Sequence, residues 1–266
     1  MKKTHLIILS LFLTSAIIIT ATVITYKALT VPKSKKYVVE TIEANSKGYI
    51  KVGIISDAQL PQEEKNLYGW DYATVMNGAD HLIKALKYYK SQNVDMIVFN
   101  GDMVNATGDY AAYSAYNKIL DYVYGEDRAE APHIIYPMGN HEFYGGNQEH
   151  NFYKSTGLPL NTRTIVNGYS FISISNSKLE KGDEELAESN DTLADGTYNE
   201  KRIEFLKEQL AAANTEDPNK PIFVFIHMPI SNIVNGGHWA TPQYEEIYSI
   251  LKEYPQAVVF KGHSHY

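Results

Sequence analysis

The sequence predicts an α/β domain built on a mainly parallel or mixed sheet with helices on its faces. Short apolar segments alternate with longer amphipathic segments along most of the 266 residues. Several apolar segments are continuous rather than alternating, as in strands that are covered on both faces. Five of them lead directly into short polar motifs. Alternation of this kind is typical of a sheet that is flanked by helices.

The first half of the domain contains three predicted strands separated by two predicted helices. Residues 50–56 form a nearly continuous apolar strand. Residues 72–92 follow as a helix, because apolar side chains recur there on one face. The next strand is predicted at 96–99, the second amphipathic helix at 110–124 and the third strand at 133–136.

The second half begins with a short predicted helix at 151–154 and a predicted hairpin. The hairpin strands, 163–166 and 169–175, flank Asn167-Gly168, and Asn-Gly is the strongest short signal for a two-residue hairpin turn. The remaining elements are a helix, a strand, a helix and a strand, at residues 198–213, 221–226, 242–254 and 257–260.

The N-terminus carries an apolar segment of the length that spans a bilayer. Lys2 and Lys3 precede the uncharged run 6–26, and a membrane helix needs about 20 such residues. A cleaved signal peptide has a shorter apolar core and a small-residue cleavage site. We therefore expect residues 1–26 to be an uncleaved signal-anchor, with a cleaved signal peptide and a secreted domain as the alternative.

Three regions follow from this pattern: the anchor at 1–26, a linker at 27–47 and one domain at 48–266. Lysines on both sides of the apolar run compete to set its orientation, and we expect the domain to lie outside the cytoplasm. The formal net charge of −7 disfavours nucleic acid as a partner. The chain has no Cys, which excludes disulfides and thiolate metal ligands.

Five polar motifs at the ends of predicted strands carry the chemistry. In chain order they are Asp57-Ala58-Gln59, Gly101-Asp102, Gly139-Asn140-His141-Glu142, His227 and Gly262-His263-Ser264-His265. Ligands of open α/β sheets bind beyond the carboxyl ends of the strands, where these motifs fall. Carboxylate and amide oxygens together with imidazole nitrogens suit divalent Mn, Fe or Zn, with Mg or Ni as alternatives. The motifs therefore predict a site for two divalent ions that clamps a phosphoryl group.

In this order the motifs resemble the calcineurin-like metallophosphoesterase family, and the resemblance covers residues 49–266. It implies a mixed-sheet, four-layered α/β/β/α sandwich. It also implies hydrolysis of a phosphomonoester or phosphodiester, in which a hydroxide bound between two metal ions attacks phosphorus.

The resemblance also implies how the ligands divide between the ions. Asp57 and His265 hold the first ion, and Gln59 occupies a position where the family usually has His. The amide oxygen of Gln59 binds metal weakly or through water, so the first ion is expected to bind less tightly. The side chain of Asp102 bridges the first and the second ion.

Asn140, His227 and His263 hold the second ion in this scheme. His141 is not a ligand; it stabilises the phosphoryl transition state or protonates the leaving oxygen. Glu142 orients His141 or its loop through a hydrogen bond.

Three further side chains are candidates for contact with the substrate. Asn105 is close in sequence to Asp102, and His238 and Trp239 lie in a glycine-containing loop between two metal motifs. A small or lipid-linked phosphate ester is the expected substrate, and the N-terminal helix is the expected contact with the membrane. The oligomeric state is left open.

Two departures from the family pattern keep a second hypothesis open. Gln59 replaces the usual His, and the sequence ends at Tyr266, whereas the family continues with strands that complete the second sheet. The chain is then either a fragment or holds its last motif loosely. A degenerate, non-catalytic protein that binds metal or a cell-envelope partner is the alternative to an enzyme.

Overall fold

The structure of the protein is a computed structural model. It describes residues 36–44, 48–60, 72–105, 112–143, 148–177, 196–230, 241 and 243–265. The strands are, in chain order, β1 (Tyr37–Ile42), β2 (Val52–Ile55), β3 (Met96–Phe99), β4 (His133–Ile135), β5 (Asn161–Val166), β6 (Tyr169–Ile174), β7 (Ile222–Ile226) and β8 (Ala257–Phe260). The helices are α1 (Tyr72–Gln92), α2 (Ala112–Tyr124), α3 (Gln148–Thr156), α4 (Glu200–Glu216) and α5 (Tyr244–Leu251), and His141–Phe143 form one 3₁₀ turn.

The strands form two sheets. One is a parallel three-stranded sheet with the order β2-β3-β4, and the other has five strands in the order β1-β5-β6-β7-β8. Only the β5–β6 pair of the larger sheet is antiparallel. Asn167 and Gly168 join that pair with φ of 50° and 77°, as a type I′ turn requires. The predicted hairpin and the predicted mixed α/β fold are therefore confirmed.

Apolar side chains from both sheets meet in one cluster and leave the opposite faces to the helices. The shared cluster contains Met96, Val98, Ile135, Val166, Phe171 and Phe225. The other two side chains of β3, Ile97 and Phe99, pack with α1 and α2 instead, and Val224 and Ile226 of β7 pack with α4 and α5. This explains why β3 has no polar residue: all four of its side chains are buried.

Strand β1 was not predicted and falls within the range expected to be a linker. Its backbone pairs in parallel with β5 along the whole length of both strands. The local sequence, with Pro32 and four lysines before Tyr37, favours a linker. Strand β1 forms because its backbone pairs with β5, which lies more than 120 residues away in the sequence. Pairing between strands so far apart in the sequence depends on tertiary context rather than on the local propensity to form a strand.

The remaining elements lie close to their predicted ranges. Helix α3 is longer than the expected 151–154, and α4 begins later than expected because Asn199 caps it: its side chain accepts a hydrogen bond from the backbone N–H of Arg202.

Within the described ranges, no helix combines the length and the apolar character needed to cross a membrane. The predicted anchor, residues 1–26, lies outside those ranges.

We predict that the cluster between the sheets contributes more to stability than the exposed edge strand does. Val98→Ala removes two methyl groups from a fully buried site in β3 and should lower the free energy of unfolding by roughly 2 kcal/mol. Val39→Ala in β1 is the matched control, because Val39 is 54% exposed, and should change it by less than about 0.5 kcal/mol. Denaturant unfolding measures both, and equal losses would contradict this packing.

Candidate metal centre

The predicted metal motifs converge at one end of the molecule, where strands of both sheets finish. Asp57 follows β2 and Asp102 follows β3, both in the three-stranded sheet. His227 follows β7 and His263 follows β8, both in the five-stranded sheet. Backbone hydrogen bonds join these strand ends within each sheet, from Asp57 N to Gly101 O (3.1 Å) and from Gly262 N to His227 O (2.9 Å). The site therefore lies across the boundary between the two sheets.

Asp102, His227 and His263 form a group that fits a divalent ion. One ligand atom of each lies within 4.8 Å of the others. Asp102 Oδ2 and His227 Nε2 are both buried and lie 2.9 Å apart, and among the described residues neither atom has a hydrogen-bond partner other than the other. Without the proton on His227 the two atoms would be left unpaired and able to bind an ion, and carboxylate with imidazole is a donor set that Zn, Mn or Fe accept. The amide oxygen of Asn140 completes the group 2.9 Å from His263 Nδ1.

The backbone carbonyl of Asn100 orients His227. His227 Nδ1 donates a hydrogen bond to this oxygen at 2.8 Å, so that Nε2 is directed at Asp102. Metal-binding histidines are commonly held through their second nitrogen in this way. The side chain of Asn100 also donates to Phe260 O (3.3 Å) at the end of β8.

Asp57, Gln59 and His265 form a second, more open group beside the first. His265 Nε2 lies 3.3 Å from Asp57 Oδ1 and 3.3 Å from Gln59 Nε2. Asp57 Oδ1 is also 3.9 Å from His227 Nε2, so the two groups adjoin. The side chain of His265 is 45% exposed, whereas those of the first group are mostly buried.

His141 lies next to both groups without joining either of them. Its Nδ1 donates to Asn105 Oδ1 at 3.1 Å, and its Nε2 lies 3.2 Å from Gln59 Nε2 and 3.9 Å from Asp102 Oδ2. The imidazole is thus held on one side by Asn105 and turns its other nitrogen towards the predicted ligands.

The structure thus brings together nine of the side chains singled out from the sequence. They are Asp57, Gln59, Asp102, Asn105, Asn140, His141, His227, His263 and His265. Their individual roles remain predictions. His238 and Trp239 lie outside the described residues.

Five of the predicted ligands adopt backbone conformations that residues other than glycine rarely take. Asp57, Gln59, Asp102, His263 and His265 have φ between 43° and 69°. Each such residue is strained by about 1–3 kcal/mol and persists only where its surroundings enforce the conformation. Nothing in the sequence pattern indicated this strain.

The glycines of the motifs make room for the site's own side chains. A Cβ at Gly101 would meet His227 Nδ1 at 2.5 Å, and one at Gly139 or Gly262 would overlap the carboxylate of Asp102 or Asp57. Within the described structure these glycines therefore leave space for the predicted ligands.

The electrostatic environment shifts several pKa values in the site. Burial, together with the nearby His227, lowers the pKa of His263 to about 4, so that its imidazole is neutral near pH 7. Burial alone would lower the pKa of His227, but the Asp102 carboxylate raises it to about 9. An ion that binds His227 Nε2 must therefore displace a proton. Burial also raises the pKa of Asp57.

Three residues around the site were not anticipated. Besides Asn100, these are Ser56, whose hydroxyl donates to Asp57, and Tyr136, whose hydroxyl donates to Glu142 at 2.7 Å. The only sequence signal for Asn100 and Ser56 is that a polar residue stands between an apolar strand and a ligand.

Carboxylate, amide and imidazole side chains grouped at strand ends are typical of metal-dependent hydrolases. Comparison with known proteins identifies the family. The family model of calcineurin-like phosphoesterases matches residues 50–266. A solved structure, a dimetal phosphatase from Danio rerio, has 18% sequence identity and a TM-score of 0.60, and the match covers 81% of this chain and 82% of that one. No curated protein sequence matches the chain.

The chain therefore belongs to the calcineurin-like phosphoesterase family. It is a hydrolase that acts on phosphate esters and depends on metal.

We predict that the space beside Gly101 is required for metal binding. Gly101→Ala adds a Cβ against His227 at a φ of 82°, whereas Gly157→Ala adds one at a φ of 70° with no atom within 4 Å. Both variants should lose about 1 kcal/mol from backbone strain. Only Gly101→Ala should also bind Mn²⁺ at least about tenfold more weakly, as measured by equilibrium dialysis. Equal Mn²⁺ affinity in the two variants would contradict the assigned position of His227.

Proposed function

We propose that this phosphoesterase hydrolyses a small or lipid-linked phosphate monoester or diester with two divalent ions, Mn, Fe or Zn. One observation carries the proposal: Asp102 Oδ2 and His227 Nε2 are buried, 2.9 Å apart and without other hydrogen-bond partners among the described residues, and His141 Nε2 lies 3.9 Å from the same carboxylate oxygen. The dimetal phosphatase of similar fold supports the number of ions. The three apolar clusters support the four-layered α/β/β/α sandwich of the family.

The side chains present fit two divalent ions, one in a more buried environment than the other. Asp102, Asn140, His227 and His263 would hold the more buried ion, and Asp57, Gln59 and His265 the more open one, with Asp102 shared. When bound, two such ions act as Lewis acids on the phosphoryl oxygens and generate a nucleophile from water near neutral pH.

His141 is the residue of this chain that we assign to proton transfer. Asn105 accepts the hydrogen bond of its Nδ1, which fixes the ring so that Nε2 faces the substrate position between the two groups. Burial lowers the pKa of His141, so a proton that its imidazole takes up is readily given to the leaving oxygen, and a positioned His of this kind contributes roughly 10²–10⁴-fold to the rate. Asn105 is thereby a support for His141 in addition to a candidate contact with the substrate.

The substrate class rests on charge. With a net charge of −7, the surface as a whole repels polyanions, so long nucleic acids are disfavoured. A single phosphate group, by contrast, is attracted locally by the ions. We assign the substrate to small or lipid-linked phosphate esters on this ground.

The catalytic assignment is tested with the full-length chain, Mn²⁺ and the chromogenic esters 4-nitrophenyl phosphate and bis(4-nitrophenyl) phosphate. Turnover of at least one ester should disappear with a chelator and return with Mn²⁺. Asp102→Asn and His141→Ala should each lower kcat/KM by about 100-fold or more.

Asp80→Asn and His81→Ala are the matched controls, since both residues lie exposed on α1, and they should leave turnover unchanged. Turnover that survives in Asp102→Asn would refute the site.

The open character of the second group favours one alternative function, a non-catalytic member that binds a single ion or a cell-envelope partner. Gln59 supplies a neutral amide there, and His265 is partly exposed. Elemental analysis of the purified chain separates the two: about two ions with turnover indicates the enzyme, and one ion or none without turnover indicates the binding protein.

We further propose that residues 1–26 anchor the enzyme in a membrane with the catalytic domain outside the cytoplasm. The uncharged run 6–26 supports this. In expressing cells, the intact chain should fractionate with membranes, and deletion of residues 2–26 should release it. Mass spectrometry should find the N-terminal segment retained; a mature chain that begins near residue 27 would instead indicate secretion.

A further inference from the structure

The carboxylate of Glu142 is completely buried between the two loops that carry Asp102 and His141. Glu142 lies in the 3₁₀ turn His141–Phe143, and its side chain has no exposed surface. A buried carboxylate needs several donors to offset the loss of hydration.

Both oxygens of this carboxylate accept hydrogen bonds from backbone N–H groups of separate loops. Oε2 accepts from Asp102 N at 2.9 Å and from Gly139 N at 2.6 Å. Oε1 accepts from Met103 N at 2.8 Å and from Val104 N at 3.4 Å. The carboxylate thus joins the segment after β3 to the turn after β4.

Tyr136 supplies a further hydrogen bond to the same carboxylate. Its buried hydroxyl donates to Glu142 Oε1 at 2.7 Å. With this bond, the two carboxylate oxygens of Glu142 accept hydrogen bonds from five donors. These bonds fix the position of the carboxylate between the loops.

The joined loops determine where the predicted ligand oxygen of Asp102 points. His141 N donates to Asp102 Oδ1 at 2.8 Å, so the other oxygen, Oδ2, faces His227. Asp102 has a strained φ of 54°, and the hydrogen bonds that Glu142 accepts from Asp102, Met103 and Val104 hold the backbone in this conformation.

We propose that Glu142 is a positioning residue: its carboxylate sets the spacing between Asp102 and the Asn140-His141 turn, and through it the affinity for metal and the rate of hydrolysis. The proposal rests on the proposed function. It assigns Glu142 a larger role than orienting His141, because the carboxylate also determines the direction of a metal ligand. Replacement of a residue that orients a metal ligand in this way changes metal affinity or activity by about 10–100-fold.

Glu142→Gln tests the proposal with almost no change in volume. An amide has one acceptor oxygen, and its NH₂ group must face N–H donors in either orientation of the side chain. We expect the folded variant to bind Mn²⁺ about 10–100-fold more weakly, by equilibrium dialysis of the full-length chain. The kcat should fall by a similar factor, and KM should change by less than about threefold.

Two comparisons separate positioning from a general loss of stability. Glu130→Gln makes the same chemical change at a side chain that is 75% exposed, and it should keep the wild-type Mn²⁺ affinity. Tyr136→Phe removes only the hydroxyl and should weaken Mn²⁺ binding at least about threefold. Should Glu142→Gln fail to fold, Tyr136→Phe decides alone.

The proposal is overturned if folded Glu142→Gln, or in its absence Tyr136→Phe, binds Mn²⁺ as the wild type does, even if its unfolding temperature is lower. If the wild type binds Mn²⁺ but hydrolyses no ester, the proposed function fails, and the Mn²⁺ affinities still decide the role of Glu142. If the wild type binds neither Mn²⁺ nor Zn²⁺, both proposals fall.

Discussion

The close approach of Asp102 to His227 is the constraint on which the rest of the site depends. The two side chains come from different sheets, and both are buried with their facing atoms 2.9 Å apart. Asn100, which follows β3, makes two hydrogen bonds across the same boundary: its carbonyl oxygen accepts from His227, and its amide donates to the end of β8. Relative displacement of the sheets would separate the predicted ligands, so the packing between the sheets determines the geometry of the metal centre.

Much of this arrangement follows from the sequence because it is local. Apolar runs such as the one at β3 identify buried strands, and the residue that follows such a run lies at the sheet end where ligands bind. The identities of these residues then restrict the chemistry: a carboxylate at 102 and imidazoles at 227 and 263 suit divalent metals. The hairpin between β5 and β6 could also be predicted from the sequence, because Asn-Gly specifies its turn.

What the sequence did not reveal depends on contacts between distant segments. Strand β1 forms only because β5 accepts it, and no local pattern reports that partner. The left-handed backbone at Asp57 and Asp102 is likewise imposed by neighbouring loops. The sequence also indicated that Glu142 supports His141, but not that its carboxylate accepts hydrogen bonds from the loop of Asp102, since those donors are backbone groups without any sequence signature.

The position of the metal centre across two sheets has a thermodynamic consequence. Because its predicted ligands belong to both sheets, an ion that binds them binds only the assembled domain. Its binding free energy therefore adds to the free energy of unfolding, by about 2.7 kcal/mol when the free ion is at 100 times its dissociation constant. The availability of divalent ions in the surroundings would then govern the lifetime of the folded protein as well as its turnover, so scarcity of metal would deplete the enzyme itself.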